Sequence, residues 1–174
     1  MEDVDKGNEI MNYEKRIIHL IGHFMYVVMY CLLILFCILH YNLANLRILL
    51  YSGWVILIFG ALFLLWSSQS RKGGRMRGDE GGEIFVESGP YALVRHPEFL
   101  GHILIISALI LMTQHWISLI IGLMLIGLLS SAMVMEEREN LEKFGDAYRD
   151  YMERVPRINL PAGIIKRAIR GRRE

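Results

Sequence analysis

Three stretches of this chain contain no Asp, Glu, Lys or Arg: residues 17–40, 48–66 and 99–135. A helix needs about 20 apolar residues to cross the hydrocarbon core of a bilayer. The first two runs each suit one crossing. The third, at 37 residues, is too long for one and fits two short ones hinged at Thr113, Gln114 and His115. The chain's 19 Lys/Arg and 18 Asp/Glu nearly cancel, and all of them lie outside these runs. That segregation excludes disorder, collagen and coiled coil, and it argues against a soluble globular domain. The fold class expected is all-α integral membrane. Its four transmembrane helices fall over about 17–40, 48–66, 98–113 and 116–135, the last two as a C-terminal helical hairpin.

The remaining segments set the organisation. Residues 1–16 are polar and mostly acidic, and read as a solvated cytosolic tail. No signal peptide is visible, because no small-residue cleavage site follows the first apolar run. Residues 67–98 hold Arg71, Lys72, Arg75, Arg77 and Arg95 with six glycines. Within them, Ile84, Phe85 and Val86 suit a short extended piece ending at a Gly89-Pro90 turn. Charge returns at Glu136 on a helical pattern that runs to about Arg154. In the tail, 162–174, Ile164, Ile165 and Ile169 sit among Lys166, Arg167, Arg170, Arg172 and Arg173. Such a basic amphipathic piece suits an anionic membrane surface. The Lys/Arg bias places both termini and the middle loop in the cytoplasm.

Chemistry is expected where two polar segments share that face. Pro97 is suited to open the third helix and Glu98 to its positive first turn. The free N–H groups there could hold an anion beside Arg95 and His96. Taken alone, Arg95 reads equally well as a snorkelling residue and His96 as a helix cap. Glu136 and Glu137 follow an uncharged span directly and diverge by about 100° around a helix. They could hold a cationic group, or simply mark a solvated helix exit.

These residues resemble something specific. Gly89-Pro90-Tyr91, Arg95-His96-Pro97, Phe99 and Gly101 look like the RHPxYxG signature of integral-membrane methyltransferases, the family of isoprenylcysteine carboxyl methyltransferases and phospholipid N-methyltransferases. Glu136-Glu137, Phe144-Gly145-Asp146, Tyr148, Tyr151, Val155-Pro156-Arg157 and Pro161 are similar to that family's second block. The resemblance spans about residues 82–161 and departs at Phe99, where the family has tyrosine. It implies one methyltransferase domain over 17–161 with a cytosolic pocket for S-adenosylmethionine, S-adenosylhomocysteine being the product. By transfer, Tyr91, His96, Pro97, Gly101, His102, Glu136, Tyr148 and Tyr151 would bind the cofactor. Gly101 would let the adenosyl group approach the helix backbone. Arg95, Glu137 and Arg157 would orient the acceptor.

The acceptor implied is lipid-linked or lipophilic, most plausibly a prenylcysteine-type carboxylate; a phospholipid amine or a small thiol are alternatives. A membrane reductase using NADPH and a non-catalytic four-span interaction protein are the competing readings. No metal is expected: His19 and His23 stand one helical turn apart without an evident third ligand. Gly73-Gly74 and Gly81-Gly82 make no phosphate loop and suggest a lid. Nothing aromatic interleaves the basic tail, so membrane lipid rather than nucleic acid is the expected partner. Cys31 and Cys37, six residues apart on one helix, are placed poorly for a disulfide.

Overall fold

The computed structural model describes residues 2–73, 76–77 and 85–170. Five helices follow in order: α1 (Glu2–Leu39), α2 (Arg47–Gly73), α3 (Pro97–Thr113), α4 (Trp116–Arg154) and α5 (Leu160–Arg170). Between α2 and α3 lie two short strands, β1 (Met76–Arg77) and β2 (Phe85–Val86), paired antiparallel with Met76 opposite Val86. A 3-10 turn over Gly89–Ala92 leads into α3.

Among the described residues, three segments are long and apolar enough to cross a membrane: Leu20–Leu39, Arg47–Arg71 and Trp116–Arg154. Their surfaces agree, since Leu20, Phe24, Ile38, Ile48, Val55 and Leu62 all face outward. Such a surface is stable only where the surrounding medium is itself apolar. The uncharged part of α4 is 116–135, and the rest of that helix projects beyond it. At 17 residues, α3 is apolar but shorter than the other three.

Several boundaries differ from the sequence reading. The segment 1–16, read as a solvated tail, is helical from Glu2 and continuous with α1. The second helix runs past Trp66 to Gly73. The last begins at Leu160 rather than in a tail starting at 162. Residues 74–75 and 78–84, which hold most of the expected glycine-rich lid, lie outside the described residues. The hinge at 113–115 is as expected: α3 ends at Thr113 and is capped by Gln114, which adopts a left-handed conformation (φ 56°). His115 then caps α4, its Nδ1 accepting a hydrogen bond from the Ile117 amide at 3.1 Å.

Close packing sets how α2 and α3 lie. They run antiparallel: Gly53 stands against Met112 and Ala108, while Gly60 stands against Leu104 and Gly101. A Cβ on Gly60 would come within 3.2 Å of the Gly101 carbonyl, and one on Gly101 within 2.6 Å of Leu64. Small residues at this seam let the backbones approach, which is how helices gain packing energy in lipid. Leu33 and Cys37 of α1, Ile106, Leu109 and Met112 of α3, and Leu125 and Leu129 of α4 form the buried core.

The two turns at the far end are tied together. Gln114 accepts from the Leu46 amide and donates to the Leu46 carbonyl, both at 2.9 Å. The Asn42 amide donates to the Met112 carbonyl at 2.8 Å. Arg71, Arg95, Glu98, Glu136, Glu137 and Arg157 gather at the opposite end of the bundle.

A candidate site around Glu137

At the charged end, Glu137 is buried (3% exposed) in the part of α4 that extends past the apolar span. Two guanidinium groups and an imidazole converge on it. Arg95 donates from Nε to Glu137 Oε1 at 3.0 Å, and its Nη2 lies 2.7 Å from the same oxygen. Arg157 donates from Nε to Oε1 at 3.1 Å and from Nη2 to Oε2, a two-pronged contact. His96 Nε2 stands 3.2 Å from Oε1.

The backbone fixes this geometry. Arg95 Nη1 donates to the carbonyls of Met152 at 2.7 Å and Val155 at 3.2 Å, where the last turn of α4 leaves its C=O groups without helical partners. The Arg95 and His96 amides donate to the carbonyls of Pro156 at 3.0 Å and Arg157 at 3.1 Å. The segment that opens α3 is therefore paired edge to edge with the segment that follows α4. Tyr151 adds a third tie, its hydroxyl donating to the Tyr91 carbonyl at 2.7 Å.

Charge is balanced unevenly. Burial opposes ionisation of Glu137, but the hydrogen bond from Arg157 and the charges of Arg95 and Arg157 outweigh it, holding the carboxyl below its usual range. Burial drives His96 the other way, below its ordinary 6.5, despite the neighbouring carboxylate. With His96 neutral, two arginines outnumber the one carboxylate they are bonded to, and only Glu136 at the edge of the group offsets the difference. A neutral imidazole has one N–H. Its Nε2 faces a carboxylate that can only accept, so Nε2 carries the hydrogen and Nδ1 keeps a lone pair. That Nδ1 stands 4.0 Å from Oε2 of Glu136, whose side chain is 45% exposed.

Of the eleven residues singled out in sequence, five meet here: Arg95, His96, Glu136, Glu137 and Arg157. Two of them are placed differently from the expectation. Arg95 is only 8% exposed along its side chain and is fully engaged with Glu137 and two carbonyls, so it positions neighbours rather than meeting an acceptor. Glu137 has both oxygens committed to arginines, which leaves Glu136 as the carboxylate open to a cation.

The others serve packing. Pro97 is buried at the first position of α3. Leu64 fills the space beside Gly101, so that glycine admits a helix and not an adenosyl group. His102 turns toward α1, edge-on to the rings of Tyr26 and Tyr30. Tyr148 and Tyr151 cluster with Phe85 and Phe144, closing the base of the site. Tyr91 accepts hydrogen bonds from Arg71 at 3.3 Å, and Arg71 also pairs with Glu98. His96 meets Phe99 edge to face at 5.4 Å.

Arg71 and the pair Arg154–Glu87 at 2.9 Å were not anticipated as structural partners. Arg71 stood out in sequence only as one of a basic group. Among the described residues no group of three or more His, Cys, Asp and Glu is placed to hold a metal. The side chain of His19 lies outside them.

A helical protein with three membrane-length segments among the described residues, and two arginines gathered on one buried glutamate at one end, is thus the class defined by fold and site. The family model described as a protein of unknown function, DUF1295, matches residues 4–155, and the chain belongs to that family. No curated protein and no solved structure matches it. The family's description names no activity.

Proposed function

We propose that the chain transfers a methyl group from S-adenosylmethionine to a lipophilic carboxylate, at the cytoplasmic end of a bundle that crosses the membrane four times. The observation that carries this reading is the facing of two acceptors, His96 Nδ1 and Glu136 Oε2, across 4.0 Å. Two acceptors at that spacing repel unless a donor stands between them, and an ammonium group is of the right size and charge. Beside them, the half-exposed Arg157 keeps part of its guanidinium in solvent. A cation seat and an anion seat thus lie on either side of one imidazole, which suits a cationic methyl donor and an anionic acceptor together.

When bound, the cofactor would supply a methyl group on a positively charged sulfur. Its transfer to a carboxylate oxygen joins opposite charges and leaves neutral products, a change favoured where water is excluded. Glu136 and His96 would hold the cationic end. The outer edge of Arg157 would take the acceptor's carboxylate, with Glu137 and Arg95 holding Arg157 and His96 in place. A carboxylate needs no general base, so alignment is the main demand, worth several kcal/mol when reactants are well oriented. The sequence resemblance supports the same assignment, as does the siting of the cluster where a lipid-borne group and a water-soluble cofactor meet. The short α3 would complete the fourth crossing as one arm of the hairpin with α4.

Calorimetric titration of the detergent-purified protein with S-adenosylhomocysteine, and with NADPH in parallel, tests the reading. Binding of S-adenosylhomocysteine, weakened in Glu136→Gln, is the expected result. Binding of NADPH alone would move the chain to the reductases. Binding of neither by folded protein would leave a structural or interaction role.

A further inference from the structure

A second feature of the charged end lies apart from the Glu137 cluster. A cavity of about 340 Å³ opens between α5 and the end of α4, lined by Arg154, Arg167, Arg170, Glu87 and Tyr151 among others. Three arginines face one glutamate. Arg154 answers Glu87 at 2.9 Å, and Arg170 donates to the Arg154 carbonyl at 3.2 Å, capping the end of α4. Neither contact neutralises Arg170, and Arg167 is exposed with no partner among the described residues. The cavity therefore holds two uncompensated guanidinium groups, a donor set that matches phosphate oxygens.

Its surroundings name the carrier of that phosphate. Gly163 presses α5 onto the Leu93 carbonyl, leaving no room for a Cβ. The segment beneath stands level with the end of the α2 span, because Gly89 lies against Ser70 and Trp66. With Gly163, Lys166 and Arg170 turned to the protein, Ile164, Ile165 and Ile169 point away from it, 52%, 59% and 51% exposed. An apolar helix face at that level, beside a cationic cavity, is complementary to a lipid with an anionic head.

We infer that α5 and the Arg154–Arg167–Arg170 cavity form a binding site for the phosphate headgroup of an anionic phospholipid. The acyl chains would lie along the isoleucine face and the phosphodiester between Arg167 and Arg170. The site rests on the membrane reading alone and is independent of methyl transfer.

The test is native mass spectrometry of the full chain in neutral detergent, titrated with phosphatidylglycerol, phosphatidylcholine or inorganic phosphate. A single saturable phosphatidylglycerol adduct is expected, with phosphatidylcholine much weaker. Arg167→Gln should weaken it about fivefold, the contribution of one basic residue near an anionic surface. Arg149→Gln, which removes the same charge from an exposed position outside the cavity, should not. Because Arg167 holds nothing in the fold, its replacement leaves the melting temperature unchanged. Equal binding of both lipids, or equal weakening by Arg149→Gln, would overturn the site in favour of diffuse attraction. Inorganic phosphate competing as well as the lipid would assign the cavity to a free anion instead.

Discussion

Glu137 binds together two chain segments that are 42 and 20 residues away from it, at Arg95 and Arg157. Removing its charge leaves a buried guanidinium with no counter-ion, a change that costs about 3–5 kcal/mol in buried pairs. Glu137→Gln should therefore unfold well below the wild-type melting temperature in detergent. Arg157→Gln should cost less, since Arg157 is half in solvent and Glu137 keeps Arg95. Equal losses would show that the bidentate contact, not the burial of Arg95, is what matters.

His96 gives a pH signature. Its pKa lies below the ordinary 6.5 in the folded protein, so as pH falls past 6.5 the unfolded imidazole takes up a proton that the folded one does not. Stability must then decline downward from that point and be flat above it. Glu137 adds a decline of the same sign below its ordinary 4.5. Melting temperatures followed from pH 8 to 5 should fall more steeply in wild type than in His96→Gln. A parallel fall in both would assign the effect to another group.

Among the elements, the α2–α3 seam has the least tolerance. Gly60→Val would push a branched side chain onto Leu104 and the Gly101 carbonyl. The expected cost is about 1–3 kcal/mol, typical of overpacking, read as earlier loss of helical circular dichroism on heating. Gly163→Ala probes a different joint. Its Cβ would stand 1.9 Å from the Leu93 carbonyl oxygen, so α5 has to lift. Trypsin should then cut at Arg167 and Arg170 faster than in wild type while the bundle melts as before.

The apolar helices were legible because each is a run without charge, and the turn between α3 and α4 because Gln114 interrupts the longest run. The meeting of Arg95-His96 with Glu136-Glu137 was legible as well, through the resemblance and the shared face. The seam was not read, although Gly53, Gly60 and Ser67 recur every seven residues along α2. Small residues in an apolar run look neutral until a partner helix is known. Nor could the sequence pair Arg154 with Glu87, 67 residues away, since ion pairs at that range leave no periodic trace. Helix α1 continued through acidic residues because polarity alone does not end a helix that has no breaker.

For the whole molecule, charge at one end and tied turns at the other define two faces. If all four apolar helices cross, a cysteine at Asn45 and one at Arg149 lie on opposite sides of the membrane. In sealed vesicles of a protein with Cys31 and Cys37 replaced, an impermeant maleimide should label Asn45→Cys and Arg149→Cys from opposite sides. Labelling of both from the same side would place α3 as a re-entrant arm instead.

The carbonyl cradle of Arg95 has a consequence in time. The Met152 and Val155 carbonyls that hold its guanidinium lie 57 and 60 residues later in the chain. At about 5–20 residues per second, the ribosome delivers them several seconds after Arg95 has emerged. Through that interval α3 and most of α4 are completed while the arginine has no carbonyl partner. The Glu137 cluster therefore closes only once α4 is complete, and a nascent chain released before residue 152 would have its apolar helices but no site.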